Sequence, residues 1–119
     1  MQIYKAAASG IVGNLFTESN LNPTAPGDHG TSFGLAQWHN ARWNNLIDYA
    51  KSNNMNHKTM DTQLNFLWHE LNTSEKKALY AIQNSQSAKE AARNFAYKFE
   101  RMKAYNIQRE NNAEKIFNS

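Results

Sequence analysis

The 119 residues are 40% hydrophobic and 19% charged, a balance that suits a single folded domain over residues 1–119 and excludes a disordered tail. No apolar run approaches the roughly 18 residues of a membrane span. No leader-like apolar stretch follows Met1, and the absence of cysteine excludes disulfides, thiolate metal sites and a cysteine nucleophile together.

Both prolines and four of the five glycines precede residue 31, and Gly34 is the last of either kind. Helix can therefore run freely from about Gln37 onward, while irregular backbone is confined to residues 19–36. Ile3, Ala7, Ile11 and Leu15 recur every four residues, with Ala8, Val12 and Phe16 widening the stripe, which predicts a first helix of roughly 3–18. Gly10 and Gly13 inside it each cost about 1 kcal/mol relative to alanine, and close packing of another element is the expected compensation. Asn20, Asn22 and Pro23 end it. Residues 24–36 are turn-rich and have room for a short β-hairpin at most.

A second helix is predicted near 38–52, with Trp43, Leu46, Ile47 and Ala50 inward. A third, about 60–72, presents Met60, Leu64, Leu67, Trp68 and Leu71 at helical spacing. Ser74 is placed to cap a fourth that runs to about Asn84. Ser87 and Glu90 form a capping box for a fifth near 88–101, which packs Ala91, Phe95, Ala96 and Phe99. A sixth near 106–117 buries Ile107, Ala113, Ile116 and Phe117. The expected fold is mainly α, a globule of about six helices with one irregular or short β-hairpin segment near residues 24–36.

Thirteen Lys and Arg against ten Asp and Glu leave a net charge of +3, a mild bias toward anionic partners. The basic residues are scattered, with only Lys76 and Lys77 adjacent, so no phosphate-tracking stripe marks a nucleic-acid partner. The four histidines lie far apart, and His69-Glu70 lacks the second histidine of a zincin helix. No metal and no cofactor is expected.

The carboxylates are the informative residues. Only Glu18 and Asp28 fall in the first 47 positions, and they flank the point where the first helix gives way to irregular backbone. At a helix C-terminus the macrodipole disfavours a negative charge by about 0.3–1 kcal/mol, and Leu15, Phe16 and Leu21 supply apolar neighbours. Both effects favour the protonated acid, as a general acid requires. A surface glutamate at a frayed helix end is the plainer alternative. Asp28, in Pro-Gly-Asp-His-Gly, has the ordinary role of a turn residue as its alternative. Gln37, Trp38, His39 and Trp43 combine amide, imidazole and aromatic faces suited to a sugar, although both tryptophans also fit a core.

Gly10-Ile-Val-Gly-Asn-Leu-Phe-Thr-Glu18-Ser-Asn-Leu-Asn-Pro23 followed by Gly30-Thr-Ser-Phe-Gly34-Leu-Ala-Gln37-Trp38 resembles the phage tail lysozymes, a peptidoglycan-cleaving branch of the lysozyme-like superfamily. Asp61-Thr-Gln-Leu-Asn-Phe-Leu-Trp-His-Glu-Leu71 and Phe99-Glu100-Arg101 extend the likeness over roughly residues 6–105. The resemblance implies a lysozyme-like fold, peptidoglycan glycan strands as the partner, no membrane insertion, and action on the bacterial wall from the virion tail or outside the cell. A place within a larger tail protein is compatible with it.

The resemblance also implies a muramidase, a hydrolase of the β-1,4 bond between N-acetylmuramic acid and N-acetylglucosamine, with Glu18 protonating the leaving oxygen. Where animal c-type lysozymes carry an aspartate two residues before the glycine of the Gly-x-x-Gln element, this chain has Ser32, which supplies no anion. Asp28 or the hydroxyls of Thr31 and Ser32 could instead hold a water, with Gln37, Trp38 and His39 on the glycan. The alternatives are a lytic transglycosylase giving 1,6-anhydro products and a non-catalytic wall-binding module on the same scaffold. Glu100 reads as structural first, bonding near Glu18 or pairing with Arg101 or Arg42.

Overall fold

The computed structural model describes residues 3–102 and 105–119. Among them are six helices and a small sheet in the order α1 (Lys5–Ser19), β1 (Pro26–Gly27), β2 (Ser32–Phe33), β3 (Trp38–His39), α2 (Ala41–Ser52), α3 (Met60–Asn72), α4 (Lys76–Gln83), α5 (Ala88–Lys98) and α6 (Gln108–Phe117). The mainly α expectation holds, and the third helix falls where its periodicity placed it.

The irregular segment is more ordered than a single hairpin. Its three two-residue strands pair antiparallel in the order β1-β2-β3, with Gly27 opposite Ser32 and Ser32 opposite His39. Trp38 and His39 thus belong to a strand, and α2 starts three residues later than its expected start at 38. Asp28 and His29 both take left-handed φ, 47° and 57°, in a turn closed by Gly30 N–H donating to Gly27 O at 2.9 Å. Such turns favour residues that tolerate positive φ, which aspartate does. A Cβ at Gly27 would lie 2.0 Å from Gln37 Oε1, so the strand needs glycine for the Gln37 amide to lie against it.

α1 is flanked by α5 and α6. Ile11 and Leu15 of α1 join Phe95 of α5, Phe99 just beyond its end, Ile82 of α4, Leu71 of α3 and Leu46 of α2 in the main core. Asn20 in the left-handed conformation ends α1, its N–H returning to Phe16 O. The glycine penalty in α1 has the expected compensation: a Cβ at Gly10 would lie 2.6 Å from Ala91 Cβ and Ala92 N, and one at Gly13 2.7 Å from Ala113 N. These contacts bring α5 and α6 hard against α1, with Ala88, Ala92 and Ala113 forming a second small core.

Several predicted faces are turned. Phe16, Met60, Leu64 and Ile107 are exposed. On α3 the inward face instead carries Thr62, Gln63, Phe66, Leu67, Glu70 and Leu71, because buried polar side chains on it are bonded. Gln63 Oε1 accepts from Leu35 N–H, and its Nε2 donates to Pro23 O and His57 O. One amide thereby ties both ends of the irregular segment to α3. On α6 the buried residues are Arg109, Glu110 and Ala113. Ser74 caps nothing, since α4 begins after Glu75 without a side-chain cap. The Ser87 cap is present, its hydroxyl accepting from Glu90 N–H while the Glu90 carboxylate accepts from Gln86 N–H.

Candidate active site

Glu18 stands in the last turn of α1, and its side chain is 14% exposed. Its carboxylate forms a salt bridge with Arg109 of α6, whose own side chain is 5% exposed. The second guanidinium arm of Arg109 donates to Asn14 Oδ1 at 2.7 Å. Asn14 is fully buried, and its Nδ2 donates to Gly10 O and to Ala92 O of α5, both at 2.9 Å. A chain of fixed contacts therefore runs from α5 through Asn14 and Arg109 to Glu18. This corrects the apolar surroundings expected for Glu18: its closest partner is a cation, and a salt bridge is a contact of the charged carboxylate.

Ser19 explains why a serine follows the glutamate. Its hydroxyl donates to Leu15 O within α1 and to Leu35 O across the fold at 2.8 Å. The helix end that carries Glu18 is thus pinned to the backbone just beyond β2.

The other predicted residues form a second polar cluster. Ser32 Oγ donates to Asp28 Oδ2 at 2.6 Å and lies 3.1 Å from His39 Nδ1, its partner across the sheet. The Ser32 proton is committed to the carboxylate, so Nδ1–H of His39 donates to Ser32. The Nε2 of the ring lies 2.9 Å from Asn40 Nδ2. Thr31 Oγ1 donates to Asp28 O. Ser32 is 1% exposed and its hydroxyl has two partners, so it links Asp28 to His39 and does not itself meet solvent. Asp28 and His39 are exposed.

Two of the three expected glycan contacts have other work. Trp38 is 2% exposed, with its Nε1 donating to Glu70 Oε1 at 2.7 Å; it is core, and this corrects its reading as a sugar platform. Gln37 Nε2 donates to Ala25 O and Gly34 O, which makes it the clasp of the sheet turn. His39 is the exposed one of the three, and Thr31, expected to help hold a water, is half-buried. Trp43 packs on Phe33 at 5.3 Å between ring centroids.

Glu100 pairs with neither Arg101 nor Arg42. Arg101 bonds Glu75 at 2.7 Å. Arg42 bonds Glu70 through two nitrogens at 3.1 Å, donates to Phe99 O at 2.8 Å and lies 4.4 Å over the Phe99 ring. Burial, and then the neighbouring Glu18 charge, push the Glu100 carboxyl well above the ordinary glutamate range, against the pull of Arg42 and Arg109.

With the geometry in view, the whole chain, residues 1–119, matches the family model described as Phage tail lysozyme. The chain belongs to the phage tail lysozyme family. Membership brings peptidoglycan as the substrate, lytic action on it, and a phage tail as the setting. Among the described residues, no helix is long and apolar enough to cross a membrane.

Arg109 and Asn14 are the residues that sequence reasoning missed as parts of the site. Asn14 was within sight, in the Gly-Asn-Leu stretch leading to Glu18. Arg109 carried no local signal.

Proposed function

We propose that residues 1–119 form a single catalytic domain, a muramidase that hydrolyses the β-1,4 bond between N-acetylmuramic acid and N-acetylglucosamine, with Glu18 as the general acid. The observation that carries this reading is the placement of Glu18: a largely buried carboxyl at the end of the family's first helix, held on one side by Arg109 and on the other by the Ser19 anchor. A positioned acid lowers the barrier because it delivers its proton to the leaving oxygen as the glycosidic bond breaks.

The second step falls to Asp28. Its Oδ2 is fixed by Ser32, and the carboxylate is exposed, so it can orient a water and take its proton. Ser32 replaces the anion of c-type lysozymes with a link that connects Asp28 to His39. Water attack on the face opposite the leaving group gives inversion. His39 and Asn40 supply ring and amide groups for the glycan beside it. In the phage tail, this activity opens the wall for entry.

Mass spectrometry of products from purified peptidoglycan tests the reading. Muropeptides with reducing muramic acid ends support hydrolysis, and products lighter by one water show the transglycosylase outcome instead. Glu18→Gln should lower the rate by about 10²–10⁴ with the fold retained. A variant that keeps a tenth of the activity overturns the role of Glu18. Equal wall binding by both proteins with no new ends from either identifies a binding module.

A further inference from the structure

Four of the basic residues, scattered in sequence, are gathered by the fold. Lys76 and Lys77 open α4, Lys98 closes α5 and Arg101 follows it; all four are exposed and line one open depression of about 560 Å³. Arg101 Nη2 donates to Glu75 Oε2 at 2.7 Å, which fastens the end of α5 to the start of α4 and brings the lysines of both helices to one rim. Glu75 is the one acid that lines it. Four cations against one carboxylate give the depression the whole net charge of the chain, since nine basic and nine acidic residues remain elsewhere.

Among the described residues, none of these three lysines takes part in a salt bridge. Arg101 gives one guanidinium nitrogen to Glu75, and its side chain is still 55% exposed. It also stands in the left-handed region, with φ 56°, where a helix end ordinarily takes glycine. Backbone strain and the mutual repulsion of like charges are both borne at this one place, and a bound anion would relieve the second. Met102 places the rim beside the catalytic candidate. Its Sδ lies 3.5 Å from Nη2 of Arg109, the nitrogen that holds Glu18. Neighbouring Cα atoms are about 3.8 Å apart, so the chain meets the basic rim at one residue and the Glu18 clamp at the next.

Peptidoglycan, the substrate of the family, has the complementary charge. Its glycan backbone is uncharged, whereas the short stem peptide on each muramic acid carries free carboxylates. A nucleic acid fits less well, because it needs cations in a row along its phosphates and the charges outside the depression balance. We propose that the depression between α4 and α5 binds the acidic stem peptide of peptidoglycan, through the ammonium groups of Lys76, Lys77 and Lys98 and the open side of the Arg101 guanidinium. This rests on peptidoglycan as the substrate and not on the muramidase chemistry of Glu18. Contacts remote from the reacting bond hold the strand in register over the site, so they act on peptide-bearing strands alone.

Amide chemical-shift titration of the full chain with a synthetic stem peptide tests binding without cleavage. The peptide with free carboxylates should shift Lys76, Lys77, Lys98 and Arg101, and the same peptide with its carboxylates amidated should not. Equal shifts from both, or none from either, overturn the site. Shifts from polyglycerol phosphate or duplex DNA, with none from the acidic peptide, overturn it in favour of a phosphodiester polymer. In turnover, the triple variant Lys76→Gln, Lys77→Gln, Lys98→Gln should raise KM on soluble peptide-bearing strands about tenfold, with kcat kept. On glycan strands stripped of peptide by an amidase, the variant and wild type should match. A loss of equal size on both substrates overturns the role in substrate binding. A protein that binds the acidic peptide but releases no new ends keeps this site and loses the muramidase reading. One that cleaves peptidoglycan and ignores the peptide loses the site alone.

Discussion

Arg109 in the last helix closes on Glu18 at the end of the first, across 91 positions of sequence. The contact joins the two ends of the chain at the catalytic candidate, so folding of α6 and assembly of the site are one event. Removing the cation leaves a largely buried carboxylate and Asn14 Oδ1 without their partner. Breaking one side of a buried pair costs about 3–5 kcal/mol. Arg109→Met should therefore lower the urea midpoint by a corresponding amount, with native helical content retained below the transition. Turnover of peptidoglycan should fall as well, because Glu18 loses the group that orients it.

Asp28 and Ser32 separate a charge effect from a linkage effect. Asp28→Asn keeps an oxygen to accept from Ser32 but removes the charge. It should reduce hydrolysis by about 10²-fold or more while shifting stability by only about 0.5 kcal/mol, because the residue is exposed. Ser32→Ala keeps the carboxylate and loses its tether to His39, so its rate loss should be smaller. Initial rates of reducing-end release, with thermal melts as the control, make the comparison. Equal activity of Asp28→Asn and wild type removes Asp28 from the mechanism.

The helices were legible because their apolar spacing and the clustering of glycine and proline before Gly34 are local signals. Glu18 stood out as one of two carboxylates at the helix-to-loop boundary, but the residues alone fitted a surface glutamate better, and it was the resemblance that made it the candidate acid. Arg109 was not legible. Within the polar run of Gln108–Phe117 it reads as surface, and only tertiary packing shows that its helix turns that side inward. The α3 face was misjudged by the same physics in reverse: Gln63 and Glu70 are buried because they satisfy Leu35 N–H and Trp38 Nε1–H, while Met60 and Leu64 face out. Strands of two residues hold too few side chains for alternation to register, which is why β3 was taken into α2 and Trp38 left between core and sugar contact.

Gly13 tests how tightly the site depends on helix spacing. Alanine is the better helix former by about 1 kcal/mol, so propensity alone predicts stabilisation by Gly13→Ala. The added Cβ would stand 2.7 Å from Ala113 N and 2.8 Å from its Cα, and overpacking against backbone costs about 1–3 kcal/mol. A net loss of stability is expected. Because α6 also carries Arg109, a displaced α6 should lower activity although no catalytic atom has changed. Denaturation midpoints and turnover rates should fall together, and a more stable, fully active variant would show that the helices have slack.

Two glutamates, Glu110 and Glu100, give the stability opposite dependences on pH. For Glu110, burial alone pushes the carboxyl up, but hydrogen bonds from Arg93 and Tyr105 outweigh it and hold the group below the ordinary range. The folded state therefore binds the Glu110 proton less readily than the unfolded chain does, and the stability from this group is present above the unfolded value of about 4.3. It is lost as pH falls through the folded value, so Glu110→Gln should be less stable than wild type at neutral pH and lose that deficit in acid. Glu100 is raised, with burial as the first cause. As pH climbs past about 4.3 the unfolded chain sheds this proton while the folded chain keeps it, and folding weakens. Glu100→Gln removes that liability: it should melt above wild type at neutral pH and match it at about pH 3. Melting curves of the three proteins at the two pH values should show the variants moving in opposite directions, and a Glu100→Gln variant that melts below wild type at neutral pH would mean that its carboxyl is stabilised in the ionised form.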